Sequence, residues 1–303
     1  MAVIAEQAFA KRALEIAAAG NHNLLLHGSP GAGKSLLAKA MVGILPDLSE
    51  EEAFEVTKIW SIRGLLPAGA DVLQTRPFRS PHHSVSAVAL VGGGAHPQPG
   101  EVTLAHRGVL FLDEFAEFPR HVLEHLRQPL EDGRVHVSRA AGSITFPARF
   151  TLVAAMNPCP CGYAGDVSHV CQCTPGAILR YRERVSGPLL DRIDLHVPVP
   201  PVAVRSLLGD VRAGESSADI RSRVIAARQR QVERYGGGSA TNAAVRFEDL
   251  RTYCALSPEG AALLERAAER LRLSARGVHR VLRVSRTIAD LSADERIAPA
   301  HLA

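Results

Sequence analysis

Leu24-Leu25-Leu26-His27-Gly28-Ser29-Pro30-Gly31-Ala32-Gly33-Lys34-Ser35 decides how the rest of the chain is read. The three leucines form a short apolar run that suits a buried strand, and Gly28 stops it. Helical spacing resumes from Ser35 to Leu45 and ends at Pro46. Residues 28–35 therefore match G-x-x-x-x-G-K-[ST] in full, between a strand and a helix, where the motif has physical meaning. Glycines let backbone N–H groups wrap phosphates, and the helix N-terminus adds partial positive charge. Gly28, Ser29, Pro30, Gly31, Ala32, Gly33, Lys34 and Ser35 thus read as a cradle for ATP. Lys34 is expected on the β- and γ-phosphates and Ser35 on Mg²⁺. A plain glycine-rich turn is the alternative, and the strand–helix setting tells against it.

Outward from that loop, Val109-Leu110-Phe111-Leu112 is a second all-apolar strand and Phe150-Thr151-Leu152-Val153-Ala154-Ala155 a third. Ile193-Asp194-Leu195-His196-Val197 is a fourth, closed by Pro198. Such strands, alternating with helical stretches that open at residues 2–18, predict an α/β fold with a parallel sheet covered on both faces. Ligands bind open sheets of this kind beyond the C-terminal ends of the strands. The second strand delivers Asp113 there as an Mg²⁺ ligand and Glu114 as the general base for the attacking water. An Asp-Glu pair after a strand is ordinarily a solvated turn, but the complete phosphate motif upstream reverses that. Asn157, at the tip of the third strand, is placed to orient the water or touch the γ-phosphate, although Asn before Pro is alone only a turn signal. Arg192 either pairs locally with Asp191 or Asp194, or reaches a neighbour's γ-phosphate in a ring.

Of 303 residues, 46% are hydrophobic and 22% charged, so the chain can bury a sizeable core and is not of the disordered class. A net charge of +4 is too small to imply a polyanionic partner, which leaves that argument to local clusters of arginine. No apolar run approaches the ~18 residues of a membrane helix. Glu6, Lys11, Arg12 and Glu15 stand where a signal peptide needs an unbroken apolar stretch, so the expected location is cytoplasmic, with no membrane partner. After Pro200-Pro201 strand signals vanish. The expected division is a nucleotide-binding α/β domain over 1–200 and an all-helical lid domain over 205–303. Arg221, Arg223, Arg228, Arg230 and Arg234 crowd one helix of the second part and read as a solvated face. Pro299 opens a helix that the sequence cuts in its first turn, so the native polypeptide is expected to continue.

Four of the five cysteines fall between Cys159 and Cys173. Cys159, Cys161, Cys171 and Cys173 form two C-x-C pairs whose thiolates can close a tetrahedral Zn²⁺ site, with His169 an alternative ligand. C-x-C is a weaker zinc signal than C-x-x-C, and a redox pair or free thiols are the rivals. Cys254 reads as a core residue. Residues 134–147 alternate on both sides of a glycine-containing tip, as a β-hairpin does, with Arg139 near that tip. The stretch 76–107 is a long insertion carrying Arg79, His82, His83, three consecutive glycines, His106 and Arg107; Glu101 is its one carboxylate. It reads as a flexible loop or hairpin making structural or DNA contacts rather than a metal site. From spacing alone residues 134–147 read as a plain surface hairpin with Arg139 solvated. The resemblance described next makes Arg139, with Arg79, a candidate for DNA phosphate contacts indifferent to sequence, since 5% aromatic residues argue against base stacking as the main grip.

These motifs, in this order, resemble the AAA+ superfamily, and the finer resemblance is to the magnesium-chelatase-like clade and its ComM/YifB group. The phrases that carry it are residues 76–83 (RPFRSPHH), 126–134 (LRQPLEDGR), 155–162 (AMNPCPCG) and 186–194 (SGPLLDRID), and it covers essentially all 303 residues. The resemblance implies a hexameric ATPase that acts on DNA as a branch-migration helicase in homologous recombination during natural transformation. It makes residues 134–147 a pre-sensor hairpin facing the ring's pore, Asn157 sensor 1 and Arg192 an arginine finger. It also makes Arg276 the sensor 2 arginine, in the first turn of a lid helix capped by Ser274 and aimed at bound nucleotide, with Arg280 and Arg283 as alternatives. Relatives carry an N-terminal Lon-protease-like domain to which nothing here corresponds, so the chain resembles a shortened ATPase region. Rival readings are a magnesium-chelatase motor subunit and a MoxR-like protein-remodelling chaperone.

Overall fold

The computed structural model describes residues 1–303 except 3, 5, 70, 95, 96, 140, 141, 167, 203–213 and 239. Its strands, in chain order, are β1 (Leu24–His27), β2 (Phe78–Arg79), β3 (Gly92–Gly93), β4 (Gln98–Pro99), β5 (Val109–Leu112), β6 (Arg134–Arg139), β7 (Gly142–Pro147), β8 (Thr151–Met156) and β9 (Leu195–Pro198). Five of them form one parallel sheet in the order β2-β5-β8-β1-β9, with Leu25 beside Ala154 and Ala154 beside Leu112. Parallel neighbours require crossovers, and helices supply them on both faces. The alternation of each strand divides its side chains between two buried clusters. Leu24, Leu26, Val109, Phe111, Val153 and Ala155 face one, and Leu25, Leu110, Leu112, Leu152 and Ala154 face the other. Burial on both faces is why these strands read as unbroken apolar runs.

The first cluster packs against helices Ala8–Gly20 and Lys34–Val42, and it takes in Ile220, Val224 and Ala227 from helix Ser217–Arg234. One core therefore spans the sheet and the first described helix of the C-terminal part. The join expected between residues 200 and 205 reaches into 203–213, outside the described residues. A third, small core of Val245, Leu250, Cys254, Ala289 and Ile297 serves the helices that follow, so Cys254 is the core residue its setting suggested.

The arginines of helix Ser217–Arg234 correct the solvated-face reading. Arg223 pairs with Glu15 and Glu215, and Arg221 with Asp47. Arg228 donates to the Ala18 carbonyl, and Arg230 to that of Asp290. Arg234 grips the Asp290 carboxylate. Long guanidinium side chains bind the helix to the opening helix and to helix Ala275–Leu291 by charge-assisted bonds.

The described residues of 76–107 are folded rather than loose, giving the sheet its edge strand β2, the helix Ala87–Val91, the β3–β4 ladder and the helix Glu101–Leu104. Arg79 is not a free phosphate ligand there. Its guanidinium is bidentate to Glu101, at 2.6 and 2.8 Å. Residues 134–147 form the expected antiparallel hairpin, Val135 facing Phe146 and Val137 facing Ile144. Arg139 closes β6, and Ala140 and Ala141 at the tip lie outside the described residues. Among the described residues no helix is long and apolar enough to cross a membrane.

Candidate functional site

β1 ends at His27, and the chain turns through Gly28–Gly33 into helix Lys34–Val42. Gly31 and Gly33 take φ of +77° and +88°, where side chains are strained, and a Cβ on Gly28 would fall 2.0 Å from the Val199 carbonyl oxygen. Lys34 Nζ donates to the carbonyls of Gly28 and Ser29, at 2.7 and 2.9 Å, and to Asn157 Oδ1 at 3.1 Å. Burial lowers the Lys34 pKa, opposed by nearby Asp113. Ser35 Oγ donates to Asp113 Oδ2 at 2.6 Å. These two oxygens are the donor pair an Mg²⁺ ion would take, since both are hard ligands already side by side. The C-terminal ends of β1, β5 and β8 thus bring Lys34, Ser35, Asp113 and Asn157 together.

Glu114 follows Asp113 in a left-handed conformation, φ 51°, and its carboxylate meets His83 Nδ1 at 2.9 Å. His83 lies tilted against His82 and meets Phe118 edge-on. The sequence placed His83 only in an insertion; nothing in its spacing pointed to Glu114.

The other two arginines stand at the opposite edge of the sheet, before the strands rather than after them. Arg192 donates to the Pro188 carbonyl and to Glu131 Oε1, and neither Asp191 nor Asp194 is its partner. Its main chain is fixed by Asn23, whose side chain bridges the Arg192 carbonyl and Leu152 N–H at 2.9 and 2.8 Å. Ser274 caps helix Ala275–Leu291 by accepting from Gly277 N–H at 3.1 Å, as expected. Arg276 in that first turn lies 3.8 Å from the same Glu131 oxygen. Arg276 thus stands with Arg192, away from Lys34 of its own chain. A cavity of about 850 Å³ contains Asn23, Phe150, Arg192, Arg276, Arg280 and Arg283 in its wall, and Asn23 and Phe150 precede β1 and β8. Those strands carry the phosphate loop and Asn157 at their other ends. Glu131, shared by both arginines, was legible only as part of the phrase around residues 126–134.

Between Asn157 and helix Pro175–Arg182 runs the cysteine loop. The sulfurs of Cys159, Cys161, Cys171 and Cys173 all lie within 4.8 Å of one another. Three of their separations are 3.3, 3.7 and 3.6 Å. A tetrahedral Zn²⁺ with bonds near 2.3 Å needs sulfurs about 3.8 Å apart, so the set fits that ion. Backbone hydrogen bonding, chiefly from Tyr163, brings the Cys161 thiol down to about 6, while the thiols of Cys171 and Cys173 in the same cluster are raised. His169 stacks on Tyr163 and stands outside the four-sulfur cluster.

Comparison with known proteins matches residues 1–207 to the family described as magnesium chelatase, subunit ChlI, and residues 214–303 to its C-terminal counterpart. The chain is 50% identical to YifB of Escherichia coli over 96% of its own length, and 48% identical to the competence protein ComM of Haemophilus influenzae over 98%. It spans 56 and 57% of the length of those two relatives. A more distant likeness, 30% over 155 residues, is to the magnesium-chelatase 38 kDa subunit of Rhodobacter capsulatus; it covers 46% of this chain.

Proposed function

The chain belongs to the magnesium chelatase ChlI family of AAA+ ATPases and stands within it beside ComM and YifB, and from that premise we propose that it is the ATP-hydrolysing core of a ring motor that moves on DNA. The observation that carries the chemistry is the meeting of Lys34, Ser35, Asp113 and Asn157 at one edge of the sheet. Lys34 leaves its carbonyl partners for the phosphates, and Ser35 with Asp113 holds Mg²⁺, which neutralises charge on the triphosphate when bound. Glu114 takes a proton from the attacking water, Asn157 holds that water or the γ-phosphate, and ADP and phosphate leave. Arg192 and Arg276, turned away from their own phosphate loop, complete the site of an adjacent copy. A hexamer is the assembly that the resemblance implies. Residues 1–200 are the catalytic unit and 205–303 the lid.

The DNA half of the proposal draws on the resemblance to ComM and on the hairpin β6–β7. Its Arg139 is the phosphate contact we favour, since Arg79 is engaged by Glu101. Cys159, Cys161, Cys171 and Cys173 would hold a structural Zn²⁺ ion, and elemental analysis of protein purified without chelator should then find about one zinc per chain. The activity assay is ATP hydrolysis with forked, single-stranded and duplex DNA at graded salt. Stimulation that fades as salt rises supports the reading. Hydrolysis indifferent to all three would remove DNA and favour the chelatase-type motor.

A further inference from the structure

The cysteine loop does more than close on itself, because it grips the phosphate loop at two adjacent residues. Ser29 is buried, and its hydroxyl donates to Asp166 Oδ2. The other oxygen, Oδ1, accepts from Ser168 N–H at 2.7 Å and His169 N–H at 3.0 Å. The Asp166 side chain is 2% exposed, and the Ser29 bond foremost holds its carboxyl below the usual range. One residue further along the phosphate loop, Pro30 lies against Gly162, where a Cβ would stand 2.6 Å from the proline Cδ and Cγ. Gly162 has φ +89°, so both its backbone angle and its contact with Pro30 demand glycine. Gly162 and Asp166 both fall between the two C-x-C pairs, on the stretch whose ends the four sulfurs draw together.

We propose that Asp166 is a positioning residue for the phosphate loop, and that the metal-closed cysteine loop sets ATP affinity through Asp166–Ser29 and Gly162–Pro30. A phosphate cradle works by aiming backbone N–H groups, and those of Ser29, Gly31, Ala32 and Gly33 are placed by Ser29 and Pro30. The cysteine stretch has little apolar core of its own, so its shape depends on closure at the sulfurs. Opening that closure releases both contacts at once. This inference rests on the reading of residues 28–35 as an ATP site and of the four cysteines as a zinc site.

Nucleotide affinity and zinc content, measured on the whole chain, test it. Asp166→Asn keeps Oδ1 for the loop's own N–H groups and removes the charge facing Ser29. Ser29→Ala removes the hydroxyl from the other side without touching the cysteine loop. Each should weaken binding of a fluorescent ATP analogue about tenfold, the scale of one charge-assisted hydrogen bond, with zinc content unchanged. The double variant should be no weaker than the worse single one. For Asp166→Asn, KM for ATP should rise in step while kcat holds within about twofold. Ejecting zinc with a mercurial, magnesium kept in excess, should weaken the wild type by at least as much as either substitution. Unchanged affinity in both variants, multiplying effects, or a loss confined to kcat would overturn the proposal. Wild-type protein that binds no ATP would instead overturn the ATP-site reading, and wild-type protein without zinc the metal reading.

Discussion

The two edges of the one parallel sheet are built from opposite materials. Beyond the C-terminal ends of the strands, a lysine, a hydroxyl, two carboxylates and an amide converge, and every one except Glu114 already has a partner among the others. Before the N-terminal ends, Arg192 and Arg276 share a single half-exposed carboxylate, Glu131, beside a cavity whose wall also carries Arg280 and Arg283. The first edge is a nearly complete site for a triphosphate within one chain. The second holds cations in excess of the anions facing them, the feature on which their proposed role toward another copy's phosphates draws. A sheet that carries a site's two halves on opposite edges cannot close that site on itself. Copies set edge to edge can, which is the physical case for a ring.

Arg192→Ala should show the largest effect. It leaves the chain's own phosphate loop whole, so ATP affinity persists while turnover falls ~10³-fold. Mixing it with Lys34→Ala, itself inactive, should restore hydrolysis in mixed assemblies, and activity per chain should rise with protein concentration. No rescue despite proven subunit exchange would reduce Arg192 to a brace for Glu131 and Pro188. Glu114→Gln attacks the other edge and should slow hydrolysis at least ~10²-fold with ATP still bound. Near-normal turnover would take Glu114 out of the mechanism, and mixing with Arg192→Ala should not restore that chain's own site.

Arg276→Ala should cost about tenfold in turnover, the scale of one hydrogen bond to a charged group, and the Lys34→Ala mixture should rescue it as it does Arg192→Ala. Rescue of one arginine and not the other would separate two residues that Glu131 joins. Smallest is Glu131→Gln. Glu131 is 48% exposed, so its loss should change unfolding free energy by less than ~1 kcal/mol. A large loss of stability would mean that the second edge is a structural ion-pair cluster rather than a held reserve of cations.

Much of the first edge was legible in the sequence because a phosphate cradle is local. Gly28 to Ser35 are contiguous, and Asp113, Glu114 and Asn157 each follow an apolar run that announces a strand end. The edge strand β2 was not legible, since two residues carry no periodicity. Nor were His83 against Glu114 or Asp166 against Ser29, pairs 31 and 137 residues apart whose meeting depends on how two loops fold over one sheet. The five arginines of helix Ser217–Arg234 misled for a related reason. A charged stripe looks solvated until the helix that covers it is known.

What the sequence determined by itself is the chemistry and the fold class: a strand–loop–helix that holds phosphates, carboxylates and an amide at strand ends, thiols in two close pairs, and apolar strands that must be buried on both faces. The tertiary structure alone decided direction. It put Arg276 with Arg192 rather than with Lys34, brought Arg79 onto Glu101, gathered four sulfurs within 4.8 Å, and laid their loop on Ser29 and Pro30. The physical reason is one of range. Backbone conformation and burial are written in residues a few positions apart, whereas the partner of a charge is whatever group the packed chain brings within about 4 Å of it.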